Sequence, residues 1–118
     1  MIVEDDSAIR EMLSWFLLDE GYEVIAACDG DRALSLISER RPDLILLDFR
    51  LPGMDGSEFI SRSRELQKYK SSPVLLMTAS AAPGNVAQGL DICDWIAKPF
   101  DLDDMAAQIQ IHLKTQRH

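Results

Sequence analysis

Two runs in this chain, Leu44-Ile45-Leu46-Leu47 and Val74-Leu75-Leu76-Met77, are apolar at every position. Successive side chains of a strand point to opposite faces, so a strand that is apolar throughout needs cover on both sides. A parallel sheet between two layers of helices supplies that cover. With 118 residues and 47% hydrophobic content the chain can build one such domain and is too short for two, so residues 1–118 are expected to form a single domain.

The remaining segments alternate strand and helix signals. Met1-Ile2-Val3 is a short apolar run ending in Glu4-Asp5-Asp6, and it reads as a buried strand whose first residues are expected to precede this sequence. Ile9, Met12, Leu13, Phe16 and Leu17 recur at helical spacing, with Ser7 placed to cap the helix and Gly21 to stop it. Residues 23–27 read as a strand, 31–40 as a helix around Ala33, Leu34 and Ile37, and Pro42 separates that helix from the strand 44–47. Beyond Gly53 and Gly56, residues 57–69 carry Phe59, Ile60 and Leu66 on a helix, followed by the strand 74–77. Trp95-Ile96-Ala97 is a fifth strand, and 102–114 a last amphipathic helix with Met105, Ile109 and Leu113 on one face. Five strands with crossover helices give an open, doubly wound α/β sheet, whose ligands sit beyond the carboxyl ends of the strands.

Several function classes are excluded at this level. The 20 acidic residues outnumber the 12 basic ones, a net charge of −8, which argues against direct nucleic-acid binding because phosphate contacts need clustered Lys and Arg. Arg62, Arg64, Lys68 and Lys70, interrupted by Glu65, read as a solvated face. Cys28 and Cys93 stand far apart without metal-ligand spacing, which suggests reduced thiols rather than a zinc site or a disulfide framework. No apolar stretch reaches the roughly 18 residues of a membrane span, and the acidic start differs from a signal peptide. A cytoplasmic, untargeted domain is expected, with no membrane association.

The strand ends then define the candidate site. Glu4-Asp5-Asp6 follow the first strand, Asp48 the third, Thr78 the fourth and Lys98 the fifth. Carboxylates converging on one cleft repel one another, and a divalent cation relieves the conflict. All-oxygen ligation by few protein groups suits Mg²⁺ at a site where a phosphate completes the shell. A carboxylate beside such a cation can attack phosphorus and form an aspartyl phosphate, while a lysine and a hydroxyl bind the new phosphoryl oxygens. Taken singly these residues have plainer readings. Asp48 could be a turn former, Glu4 or Asp5 a cap of the first helix, Asp6 a favourable charge at its start, and Lys98 a surface residue. Their joint placement carries the argument.

Four motifs, Val3-Glu4-Asp5-Asp6, Leu46-Leu47-Asp48-Phe49-Arg50-Leu51-Pro52-Gly53-Met54-Asp55-Gly56, Met77-Thr78-Ala79 and Lys98-Pro99-Phe100, together resemble the receiver domains of two-component response regulators. The resemblance covers essentially the whole chain. It implies a flavodoxin-like five-stranded parallel sheet of order 2-1-3-4-5 with five helices. It implies phosphorylation of Asp48 by a sensor histidine kinase or a phosphotransfer protein, with Mg²⁺, or Mn²⁺ in its place, bound by Asp5, Asp48 and the Arg50 backbone carbonyl, and by Glu4 through water. Thr78 and Lys98 would bind the phosphoryl group, and Lys98-Pro99 would be a cis peptide. Beyond self-phosphorylation and slow self-dephosphorylation, no enzymatic activity is implied. Arg50 and Ser80 stand where the family tunes loss of the phosphoryl group.

Phosphorylation would switch the exposed face around residues 79–115 through Thr78 and an aromatic residue three positions before the lysine, here Trp95. Tyrosine or phenylalanine is usual there. That face, made by the fourth helix, fifth strand and fifth helix, is also the candidate homodimer surface. The span from Thr78 to Lys98 is a couple of residues shorter than the family's and contains Pro83, Gly84 and Gly89, so the fourth helix is expected to be short or poorly formed. Ile92-Cys93 replaces the usual Gly-Ala before the fifth strand. Two other functions fit these residues less well. A phosphatase with an aspartyl nucleophile usually carries an acid two residues later, where this chain has Arg50; a docking module without phosphate chemistry would have no need of the acid, threonine and lysine set.

Overall fold

The structure, a computed structural model, describes residues 1–67 and 70–116. Lys68 and Tyr69, assigned by periodicity to the basic face and the third helix, lie outside the described residues. The main sheet is parallel and contains β1 (Ile2–Val3), β2 (Ala26–Ala27), β3 (Ile45–Asp48), β6 (Val74–Thr78) and β7 (Asp94–Ala97), in the order β2-β1-β3-β6-β7. This is the expected 2-1-3-4-5 order, because β4 (Arg50–Leu51) and β5 (Met54–Asp55) pair only with each other.

The apolar runs partition by parity. Ile45, Leu47, Val74 and Leu76 enter one core layer with Ala33, Leu34 and Ile37 of α2 (Gly30–Glu39) and Phe59 and Ile60 of α3 (Gly56–Leu66). Leu46, Leu75 and Met77 enter the other, with Leu13 and Leu17 of α1 (Ser7–Asp19) and Met105 and Ile109 of α5 (Leu102–Gln116). Each residue of a run thus loses its contact with water on one side of the sheet or the other, at roughly 25 cal/mol per Å² of apolar surface. Short α4 (Pro83–Ala87) spans five residues, and Val86 packs against the α2/α3 layer.

Three local expectations need correction. Asp6, not Ser7, caps α1: its extended backbone leaves its carboxylate to accept from the Ile9 amide at 3.0 Å, while Ser7 is already helical. The second strand is two residues long instead of five, because β1 offers only Ile2 and Val3 as ladder partners. Met12 and Leu66, assigned to buried helix faces, are exposed, and the inner side of the last α3 turn is taken by Ser63. The turn after Asp48 is a small hairpin closed by Pro52-Gly53, with Gly53 at φ +76°, where a side chain would be strained.

That hairpin ends at Asp55, which caps α3 by accepting from the Glu58 amide at 2.9 Å and the Ser57 hydroxyl at 2.7 Å. Those two donors hold the Asp55 carboxyl below its ordinary value. The Gly56 amide donates to the Phe49 carbonyl at 2.8 Å, so α3 begins directly against the residue after Asp48. A Cβ on Gly56 would lie 3.0 Å from Phe49 Cδ1 and 3.2 Å from its Cα. Gly56→Ala is therefore expected to lower stability by about 1–3 kcal/mol in urea unfolding. Gly84→Ala, whose Cβ meets nothing within 4 Å, should cost nothing or add about 0.5–1 kcal/mol within α4.

Candidate functional site: an acidic pocket at the strand ends

The carboxyl ends of four adjacent strands build the pocket. Register places Asp48 of β3 opposite Met77 of β6, and Thr78 opposite Ala97 of β7. The chain then turns at a cis Lys98-Pro99 bond, with the Lys98 amide donating to the Thr78 carbonyl at 2.7 Å. This anchors the lysine backbone and leaves its side chain to reach across the sheet. Lys98 Nζ lies 2.5 Å from Glu4 Oε1 and 3.3 Å from Asp48 Oδ2. One ammonium thus joins the ends of the first, third and fifth strands of the sheet.

Glu4 is fully buried, Asp48 and Thr78 nearly so, and Asp5 exposed. Burial, together with hydrogen bonding to Asp48, raises the Glu4 carboxyl to about 7, although Lys98 pulls the other way. Burial would lower the Lys98 ammonium, but its hydrogen bond to Glu4 and the charge of Asp48 outweigh that and raise it. Lys98 therefore carries its charge at neutral pH, and Glu4 lies near half-titration.

Other groups are placed by short local bonds. The Arg50 amide donates to Asp48 Oδ1 at 3.3 Å, which orients the carboxylate toward the hairpin, while the Arg50 side chain is exposed. Thr78 Oγ1 accepts from the Ser80 amide at 3.2 Å, and the Ser80 hydroxyl accepts from the Ala82 amide at 3.1 Å. Asp6 serves as the α1 cap, and its amide donates to Glu4 Oε2 at 3.3 Å. Trp95 stands on β7, 38% exposed, rather than in the core.

Arg10 was missed by sequence reasoning. Its Nη1 donates to the carbonyls of Glu4 at 2.9 Å and Asp5 at 3.3 Å, pinning the acidic loop to α1. Its partners are backbone oxygens, which leave no mark in side-chain identity. The only available signal was its position one helical turn after Asp6.

Glu4, Asp5 and Asp48 each present a carboxylate oxygen, all within 4.8 Å of one another. Hard oxygen donors with net negative charge, one of them a buried carboxyl with raised proton affinity, are chemically suited to a small divalent cation. A separate cavity of about 290 Å³, lined by Leu17, Tyr22, Arg40, Leu44 and Leu113, opens at the opposite ends of the strands and adds nothing to the pocket.

The order of the sheet and the acids, hydroxyl and ammonium at its carboxyl edge define a doubly wound α/β protein with an acidic pocket at the strand ends. The chain belongs to the response regulator receiver domain family, whose sequence profile matches residues 1–110, and it is a receiver domain of the two-component type. Among solved structures it is similar to the chemotaxis response regulator CheY4 of Vibrio cholerae, at 34% identity and TM-score 0.86, with 94% of each chain covered. A putative response regulator from Chloroflexus aurantiacus matches at 32% identity and TM-score 0.86, covering 96% of this chain and 94% of that one. The signal receiver domain of a signal transduction histidine kinase from Syntrophus aciditrophicus matches at 29% identity and TM-score 0.86, covering 97% and 88%. Among the described residues no helix is long and apolar enough to cross a membrane.

The Glu4 carboxyl gives the pocket a pH signature. Its value rises from an ordinary 4.5 to about 7 on folding, so the stability it confers is fully present below 4.5 and is lost as pH climbs through 7. Without divalent cations, the urea midpoint should fall between pH 4.5 and 7, and Glu4→Gln should flatten that decline. The buried Met1 amine, lowered to about 6, acts in the opposite sense above that pH in both proteins, so a wild-type pH dependence identical to that of Glu4→Gln would contradict the assignment.

Proposed function

We propose that Asp48 is the phospho-acceptor of this receiver domain. The observation that carries the reading is the Lys98 ammonium shared between Glu4 and Asp48, with the Thr78 hydroxyl at the adjoining strand end. The phosphodonor is a sensor histidine kinase or a phosphotransfer protein, because the histidine phosphoryl group is what a receiver carboxylate accepts.

Asp48, Asp5 and the Arg50 backbone carbonyl would hold Mg²⁺, or Mn²⁺ in its place, with Glu4 acting through water. When bound, the cation supplies positive charge to the phosphoryl oxygens and cancels repulsion among the carboxylates. An Asp48 carboxylate oxygen forms a bond to phosphorus as the phosphorus–nitrogen bond to histidine breaks and the imidazole leaves. Lys98 pairs with a phosphoryl oxygen, and the Thr78 hydroxyl, freed from the Ser80 amide, donates to another. Return to the resting state occurs when water attacks phosphorus and the Asp48 carboxylate departs with inorganic phosphate as the other product. This self-dephosphorylation is slow and is the domain's only turnover.

The product carries about two additional negative charges on Asp48. Movement of Thr78 and Trp95 would pass this change to the face around residues 79–115, where α4, β7 and α5 offer a surface for a partner or a second copy. The domain works in the cytoplasm, without contact to membrane or nucleic acid of its own.

Incubation with Mg²⁺ and acetyl phosphate should raise the intact mass by one phosphoryl group. Asp48→Asn should abolish the adduct, and chelation of divalent cations should suppress it. Lys98→Ala should slow its formation by about 100–1,000-fold, the loss of one charge-stabilising contact. A wild-type protein that takes no adduct overturns the assignment.

A further inference from the structure

β7 carries Lys98 just beyond its carboxyl end, and at its other end it is joined to α5 by a polar cluster that the phosphoryl chemistry does not use. Asp94, its first residue, accepts from the Trp95 amide at 2.8 Å through Oδ1. Its Oδ2 accepts from Gln108 Nε2 at 3.0 Å and faces His112 Nε2 at 3.1 Å. Gln108 Nε2 also donates to the Trp95 carbonyl at 3.0 Å. Residues 108 and 112 lie one helical turn apart on α5 and reach the same carboxylate.

The chemistry of these groups fixes their orientation. The net effect of the Asp94 surroundings, burial opposing and the donors Gln108, His112 and the Trp95 amide prevailing, holds its carboxyl below the ordinary value. An ionised carboxylate only accepts, so His112 must present a protonated Nε2. Gln108 meets two acceptors, Asp94 Oδ2 and the Trp95 carbonyl, and only its NH₂ end satisfies both. The cluster is thus a directed set of donors from α5 to β7, centred on the backbone of Trp95.

The rest of β7 leads directly to the pocket. Trp95, Ile96 and Ala97 run in register with Leu76, Met77 and Thr78, and the Lys98 amide is tied to the Thr78 carbonyl. An anion that draws on Lys98 and Thr78 therefore pulls on the strand whose other end is fastened to α5. We infer that Asp94, Gln108 and His112 form a latch that fixes α5 to β7 in the phosphate-free domain, and that opposes the response of this strand to an anion bound at Asp48.

This inference rests on the assignment of Asp48 as phospho-acceptor. Bonds present in one state and broken in the other bias the equilibrium by their differential free energy, so loosening the latch should tighten binding of a phosphoryl mimic. The test is a titration of beryllofluoride with Mg²⁺ into the full chain in a Trp15→Phe background, where Trp95 is the remaining tryptophan. Gln108→Met removes both amide donors at similar length and is expected to bind about 3–10-fold more tightly than the parent, with faster amide exchange over 94–97. Asp94→Asn preserves side-chain volume and should shift affinity the same way, so the outcome does not depend on the folding of one variant. Gln110→Met, on the exposed side of α5, should bind like the parent. Unchanged or weaker binding in both latch variants, while the parent binds, overturns the latch alone. A parent protein that does not bind beryllofluoride overturns the Asp48 assignment and the latch with it.

Discussion

The ammonium of Lys98 is the constraint on which the rest of this structure turns. A fully buried Glu4 and a nearly buried Asp48 face one another across two strand ends, and neither could stay ionised there without a nearby cation. Lys98 supplies that charge from the opposite side of Asp48, so the pocket exists only if β1, β3 and β7 are in their correct order. The sheet and the site are therefore one arrangement. A different strand order would separate the charges and leave an uncompensated carboxylate in the core. Burial first, and the neighbouring Asp48 second, raise the proton affinity of Glu4 more than Lys98 lowers it, so one lysine only partly offsets the cost of enclosing this acid.

Much of the architecture was legible because burial on both faces leaves an unmistakable pattern. Leu44 to Leu47 and Val74 to Met77 have no polar parity, and their residues divide between the two helix layers as such strands must. Lengths and ends were less legible, for physical reasons. Val24 and Ile25 have strand-like side chains but no ladder partner in a two-residue β1, and pairing depends on a neighbour that local sequence does not describe. Ser7 and Asp6 are both good caps, and only backbone conformation decides between them. Leu51-Pro52-Gly53-Met54 stood in the sequence only as part of a motif, which did not reveal the small hairpin that brings the Arg50 amide to Asp48.

The pocket followed the same division. Its acids, threonine and lysine were found because each stands at the end of an apolar run, a position that topology makes significant. Their unequal burial was not readable: Glu4 lies at zero exposure while its neighbour Asp5 is open to solvent. Nor was Arg10, whose role is to hold two carbonyls, nor the latch, which joins residues 14 and 18 positions apart through contacts that no motif encodes.

The output side differs in kind from the chemical side. The segment entering β7 is fixed by Arg64, whose guanidinium meets Asp91 Oδ2 at 2.7 Å, the Asp91 carbonyl at 2.9 Å and the Ser72 carbonyl at 2.7 Å. A planar fork satisfied three times is a stiff joint between α3 and the approaches to β6 and β7. Between Thr78 and that joint, α4 has only five residues, begins at Pro83 and lacks a side-chain cap, so it resists displacement weakly. β7 is thus held at its entrance by Arg64 and joined at its exit to Lys98, with α5 fastened in between. Strain introduced at the pocket has two outlets, the weakly held residues 79–90 and the seat of α5. In the proposed latch the balance between them is set by bonds at Asp94 and Gln108, several residues away from Lys98 and Asp48.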